Sequence, residues 1–95
     1  MNLSNVVQDL RINRMKQNQI QFGGSVGITQ TYLSQIESGS KTPSSIILNR
    51  ISEHIGIPLP ILMYMSIEEK DIDKSKIESF RILNPKILEL IKEFL

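Results

Sequence analysis

Gln30, Thr31, Ser34 and Gln35 fall at i, i+1, i+4 and i+5, so that on a helix they share one face. All four side chains hydrogen-bond and none is charged. A glutamine presents a donor and an acceptor together, the pattern that pairs with adenine N6 and N7 in a DNA major groove. Hydroxyls at Thr31 and Ser34 can meet either kind of base edge. The chemistry these residues suit is recognition, not bond-making. A solvated polar face is the commoner fate of such a helix, so the reading depends on what surrounds it.

The neighbours supply a short capped helix. Gly27 tolerates a positive φ and can end one helix while turning the chain sharply. Thr29 can cap the next helix by accepting an early backbone amide. Leu33 and Ile36 lie three apart and share a face with Ile28, which should point into a core. Gly39 stops the helix after Ser38. Gln30 and Thr31 then occupy its first turn, the end that a helix-turn-helix protein inserts into the groove.

The run Gly27-Ile28-Thr29-Gln30-Thr31-Tyr32-Leu33-Ser34-Gln35-Ile36-Glu37-Ser38-Gly39, followed by Lys41-Thr42-Pro43-Ser44, resembles the Cro/cI-type (XRE) helix-turn-helix repressors of phages and bacteria. Asn18-Gln19, ahead of Phe22-Gly23, and Ile55-Gly56-Ile57 add to the likeness, which spans about Leu3 to Met65. The resemblance implies an all-α, five-helix, lambda-repressor-like domain that binds double-stranded DNA as a dimer on a two-fold related site. It implies base contacts from Gln30, Thr31, Ser34 and Gln35. It also implies phosphate contacts from Gln19, Thr29 and Lys41. Members of the family often pair an arginine of helix one with the equivalent of Glu37. Counting back from Gln19 places Ile12 at that position, between Arg11 and Arg14, and so leaves Glu37 without a predicted partner.

Apolar spacing marks the supporting helices. Leu3, Val6, Val7 and Leu10 line one face of a first helix, which Met15 extends to about Lys16 or Gln17. Asn18 caps a second helix over Gln19–Val26. Its adjacent Gly23 and Gly24 each cost about 0.8–1 kcal/mol relative to alanine, although one suits a close packing of the two motif helices. Ser44 or Ser45 opens a fourth helix with Ile47, Ile51 and Ile55 inward, and Gly56 closes it. A short fifth helix over Leu59–Met65 is apolar enough that part of it should pack across a partner subunit.

Residues 1–66 therefore read as the DNA-binding domain and residues 67–95 as a C-terminal helical extension for dimerisation or partner binding. Ser66-Ile67-Glu68-Glu69 and Ser75-Lys76-Ile77-Glu78 have the form of capping boxes. The second should start a helix through Phe80 to Leu83, and Asn84-Pro85 should cap and open another. That last helix offers Ile87, Leu90, Ile91 and Phe94 to an interface, unless it folds back on the domain. Pro85 argues against any heptad reading.

Composition narrows the function classes. There is no cysteine, which removes disulfides and thiolate metal sites. The only histidine, His54, sits on the polar flank of helix four as an expected surface residue. The acidic run Glu68, Glu69, Asp71 and Asp73 lacks the glycine and closing glutamate of a calcium loop. No catalytic, metal or cofactor site is expected, nor a small-molecule substrate or membrane association, and the expected location is cytoplasmic. The net charge is only +1. Residues 1–66 carry Arg11, Arg14, Lys16, Lys41 and Arg50 against Asp9, Glu37 and Glu53, a modest excess on the DNA half. The favoured function is a sequence-specific transcriptional regulator, a repressor acting as a homodimer. An antitoxin, phage or restriction control protein with a protein antagonist, or an interaction module without DNA binding, are the alternatives.

Overall fold

The structure, a computed structural model, describes residues 1–95 and is all-helical. Six α-helices follow in order: α1 (Leu3–Asp9), α2 (Gln19–Val26), α3 (Gln30–Ser38), α4 (Ser45–Ile55), α5 (Leu59–Met65) and α6 (Ile77–Ile91). The first packs on α3 and α5, while α2 packs on α3 and α4. Val7, Leu10, Phe22, Val26, Leu33, Ile51, Ile55, Ile57 and Leu62 form one core from the first five helices and the turn after α4. Of the inward positions read from apolar spacing, Val7, Leu10, Leu33, Ile51 and Ile55 lie in this core, while Leu3, Val6, Ile28 and Ile47 pack against it only partly buried.

Local chemistry sets the boundaries. Asn18 and Gln21 close a reciprocal capping box at the start of α2, Thr29 Oγ1 accepts from the Tyr32 amide at 3.1 Å, and Ser44 caps α4. Gly27 takes the left-handed conformation (φ 78°) between α2 and α3. A Cβ placed on Gly23 would lie 2.9 Å from the Ile28 carbonyl oxygen, so the turn between the motif helices closes only over a glycine. At Gly24 the same atom would meet nothing within 4 Å.

Helix one departs from its expected form. After Asp9 the chain winds into a π turn over Leu10–Met15, ended by Lys16 in the left-handed region (φ 53°). A π turn accommodates an extra residue within a helix.

The C-terminal part departs further. Glu68 and Asp71 form the box that Ser66 and Glu69 were expected to make, around a single 3-10 turn, and Ser66 instead ends α5. Ser75 bonds to Asp73 and does not cap α6. Pro85 lies inside α6, where a second helix was expected to begin. Asn84 is occupied otherwise: its Oδ1 accepts from the Tyr64 hydroxyl at 2.9 Å. That bond and the burial of Ile91 hold the two halves of α6 against the body, so the helix continues through the proline.

Within the extension Arg81 forms a two-pronged pair with Glu69, and the guanidinium holds the Glu69 carboxyl below its ordinary range. Two further contacts bring the extension back to the domain, the first from the Met1 amino group to the Asp71 carboxylate at 2.8 Å. Arg14 donates to the carbonyls of Ile55, at 3.1 Å, and of Leu95. The apolar residues of α5 are largely taken up within the chain: Leu62 is buried, and Leu59, Ile61 and Met65 pack against the core. No helix is long and apolar enough to cross a membrane.

Candidate nucleic-acid interface

α3 splits into two faces. Leu33, Ile36 and Glu37 are buried, whereas Gln30, Thr31 and Ser34 are exposed and Gln35 is half-buried. The last four, together with Gln19 at the start of α2, line an open concavity of about 270 Å³ that contains no apolar side chain. The structure therefore brings all four expected base-contacting side chains and one expected phosphate-contacting side chain to one place. Their arrangement leaves amides and hydroxyls facing solvent in a shallow site, fit for hydrogen bonding to an edge and unfit for enclosing a small molecule.

Of the residues read as phosphate contacts, only Gln19 lines this site, and the three are held in different ways. Thr29 is exposed, and its hydroxyl oxygen accepts the capping bond while its own proton remains to be donated. Lys41 follows α3 and places its ammonium 5.9 Å from the centre of the Tyr32 ring, a cation–π contact that restricts a flexible side chain. Gln19 is half-buried and donates from Nε2 to Glu37 Oε1 at 3.2 Å, leaving one amide proton free.

That last bond belongs to a buried clamp. Arg11 Nε donates to Glu37 Oε2 at 2.7 Å and Nη2 to Oε1 at 2.9 Å, a bidentate pair with side chains only 9% and 2% exposed. Arg11 Nη1 also donates to the Gln17 carbonyl at 2.9 Å. The hydrogen bond to Glu37 raises the guanidinium pKa against the opposing effect of burial. The Arg11–Glu37 pair thus joins the end of helix one, the loop before α2, the first residue of α2 and α3.

The count that placed Ile12 opposite Glu37 is corrected here. Ile12 is 47% exposed, and its neighbour Arg11 makes the pair. The physical reason is the π turn, which takes up one residue between Arg11 and Gln19 and shifts the register. A signal was present: Arg11 lies four residues after Val7, on the inward face, where a charge needs a partner.

His54 is corrected too. It is half-buried, its ring meets Phe22 edge-on with centroids 5.2 Å apart, and Nε2 lies 2.7 Å from Gln17 Oε1. The flank of α4 that carries it faces the loop before α2. Gln17 is therefore held by its side chain to His54 and by its carbonyl to Arg11, which fixes the entry into α2.

Of the residues read as an interface, Leu90 and Phe94 are 69% and 50% exposed and Ile87 is half-buried. Ile91 is only 7% exposed and belongs to the interior of its own chain.

A family model described as helix-turn-helix matches residues 7–62, more than half of the chain. Comparisons with curated proteins and with solved structures found no match. The matched span begins in α1, ends in α5 and contains the whole of the polar concavity. The chain belongs to the Cro/cI-type (XRE) helix-turn-helix family of DNA-binding regulators.

Proposed function

We propose that this protein is a sequence-specific transcriptional repressor that binds a two-fold symmetric operator as a homodimer. Gln30, Thr31 and Gln35 read base edges, with Ser34 auxiliary, while Gln19, Thr29 and Lys41 hold phosphates. Residues 1–66 bind the DNA and residues 67–95 join the subunits through Leu90, Ile87 and Phe94. Two recognition helices would then enter successive major grooves about 34–36 Å apart. It works in the cytoplasm by binding alone, without a cofactor.

The observation that carries this reading is the concavity of five uncharged polar side chains over the exposed face of α3. Glutamine amides held on a rigid helix can discriminate bases, because a wrong base leaves a donor facing a donor or an acceptor facing an acceptor. The buried clamp below fixes the helix that presents them. Fluorescence anisotropy tests the proposal, using DNA from upstream of the protein's own gene against a scrambled duplex across a salt series. A preference of about a thousandfold or more is expected at moderate salt. Equal, weak binding to that DNA, to the scrambled duplex and to fragments selected from a random pool would refute it.

A further inference from the structure

α6 carries a stripe that its own domain does not cover. Leu83, Ile87, Leu90 and Phe94 fall at i, i+4, i+7 and i+11, the alternating spacing of a two-helix seam, with Phe94 in the 3-10 turn Lys92–Phe94 that continues α6. Leu83, Leu90 and Phe94 are 53%, 69% and 50% exposed, whereas Ile91, on the adjoining face, is turned inward at 7%. Pro85 lies two residues from both Leu83 and Ile87, hence on the opposite side of the helix, and its missing amide does not disturb the stripe.

The charges beside the stripe select its occupant. Arg81 is taken by Glu69 and Lys92 by Glu89, but Lys86 and Glu93, which flank the stripe on one side, have no ion-pair partner within the chain. If an identical helix runs antiparallel across the stripe, Lys86 meets the partner's Glu93 and Glu93 meets the partner's Lys86. The same reversal sets Leu83 against the partner's Phe94 and Ile87 against the partner's Leu90. A parallel pair would instead place the two Lys86–Glu93 flanks on opposite sides of the seam, each beside the partner's uncharged Asn84–Ile91 flank, so that neither charge meets its complement. We infer that α6 pairs antiparallel with α6 of a second copy of this chain, through the Leu83, Ile87, Leu90 and Phe94 seam and two Lys86–Glu93 bridges. Such a contact is self-complementary, as a two-fold interface requires.

The inference rests on the homodimer reading and adds the surface and its polarity. The chain has no cysteine, so single cysteines report on it cleanly. In the antiparallel seam two copies of residue 83 are eleven residues apart along the helix, about 16 Å, well beyond the reach of a disulfide. Leu83→Cys mixed with Phe94→Cys should cross-link under mild oxidation, and Leu83→Cys alone should not. Lys86→Glu should weaken the dimer several-fold in sedimentation, and adding Glu93→Lys should restore it. Circular dichroism confirms that these exposed substitutions leave the helices intact. Self-linking of Leu83→Cys would overturn the antiparallel seam while keeping the homodimer. A sedimenting dimer that links in neither case would place the interface elsewhere. A chain that stays monomeric both free and on two-fold DNA would overturn the seam and the homodimer reading together.

Discussion

Glu37 holds a position that a polar helix face would not suggest. Its carboxylate is removed from water, and its two oxygens accept three bonds, two from Arg11 and one from Gln19. Removing one partner of a buried ion pair leaves a charge without compensation, which typically costs about 3–5 kcal/mol. Arg11→Met should therefore lower urea stability by that amount, a large fraction of a small domain's total. Adding Glu37→Leu should recover much of the loss, because an apolar pair avoids the desolvation cost altogether. A double variant as unstable as the single one would mean that shape, not charge, sets the penalty. Gln35 tests the opposite surface. It is half-buried and lines the concavity, so truncation to alanine removes a hydrogen-bonding head from it. Gln35→Ala should cost about 1–3 kcal/mol on the specific operator and leave non-specific binding unchanged. Equal losses on both duplexes would show that Gln35 does not read a base.

Among the elements, the pair of glycines in α2 separates packing from propensity. Gly23→Ala forces a methyl to 2.9 Å from the Ile28 carbonyl and should destabilise the fold, whereas Gly24→Ala meets open space and should stabilise it by about 0.8–1 kcal/mol. Thermal unfolding of the two variants reads the signs directly. Pro85→Ala should also raise the melting temperature. It restores an amide in the interior of α6 and removes a ring that crowds the preceding turn, a defect of about 3 kcal/mol in an isolated helix. Part of that gain is offset because alanine loosens the unfolded chain. The same elements show what sequence could disclose. Caps at Asn18, Thr29 and Ser44 and stops at Gly27, Gly39 and Gly56 are local, so α2, α3 and α4 fall where spacing places them. Gln30, Thr31, Ser34 and Gln35 are brought together for the same reason, since one helix carries all four. The Arg11–Glu37 pair was hidden by a π turn, which adds a residue without a sequence mark. The continuity of α6 was hidden by tertiary bonds, because Asn84-Pro85 is a helix start until Tyr64 claims Asn84.

At the scale of the whole molecule, charge is the unusual property. A DNA-binding protein gains much of its affinity by releasing counterions from phosphates, and the slope of log K against log salt is about −0.9 for each phosphate neutralised. Residues 1–66 hold five cations. Arg11 is neutralised by Glu37 and Arg14 is half-buried with its guanidinium turned to the Ile55 carbonyl, which leaves Lys16, Lys41 and Arg50 exposed. Were all three to reach phosphate in both copies of a dimer, the slope would be about −5, and Lys41 alone would give about −2. On the proposed reading the remaining phosphate contacts come from uncharged groups: backbone amides at helix starts, the Thr29 hydroxyl and the Gln19 amide. These fix position and release few ions. The measured slope on the specific operator should thus lie between about −2 and −5, and Lys41→Ala should flatten it by about 2 for the dimer. A slope near −10, the value of a strongly basic repressor, would mean that cations from beyond residue 66 enter the interface. A slope unchanged by Lys41→Ala would remove Lys41 from the phosphate contacts. Either way, phosphate attraction carries no sequence information, so on the proposed reading the glutamine face supplies the selectivity and the few free cations supply only part of the affinity.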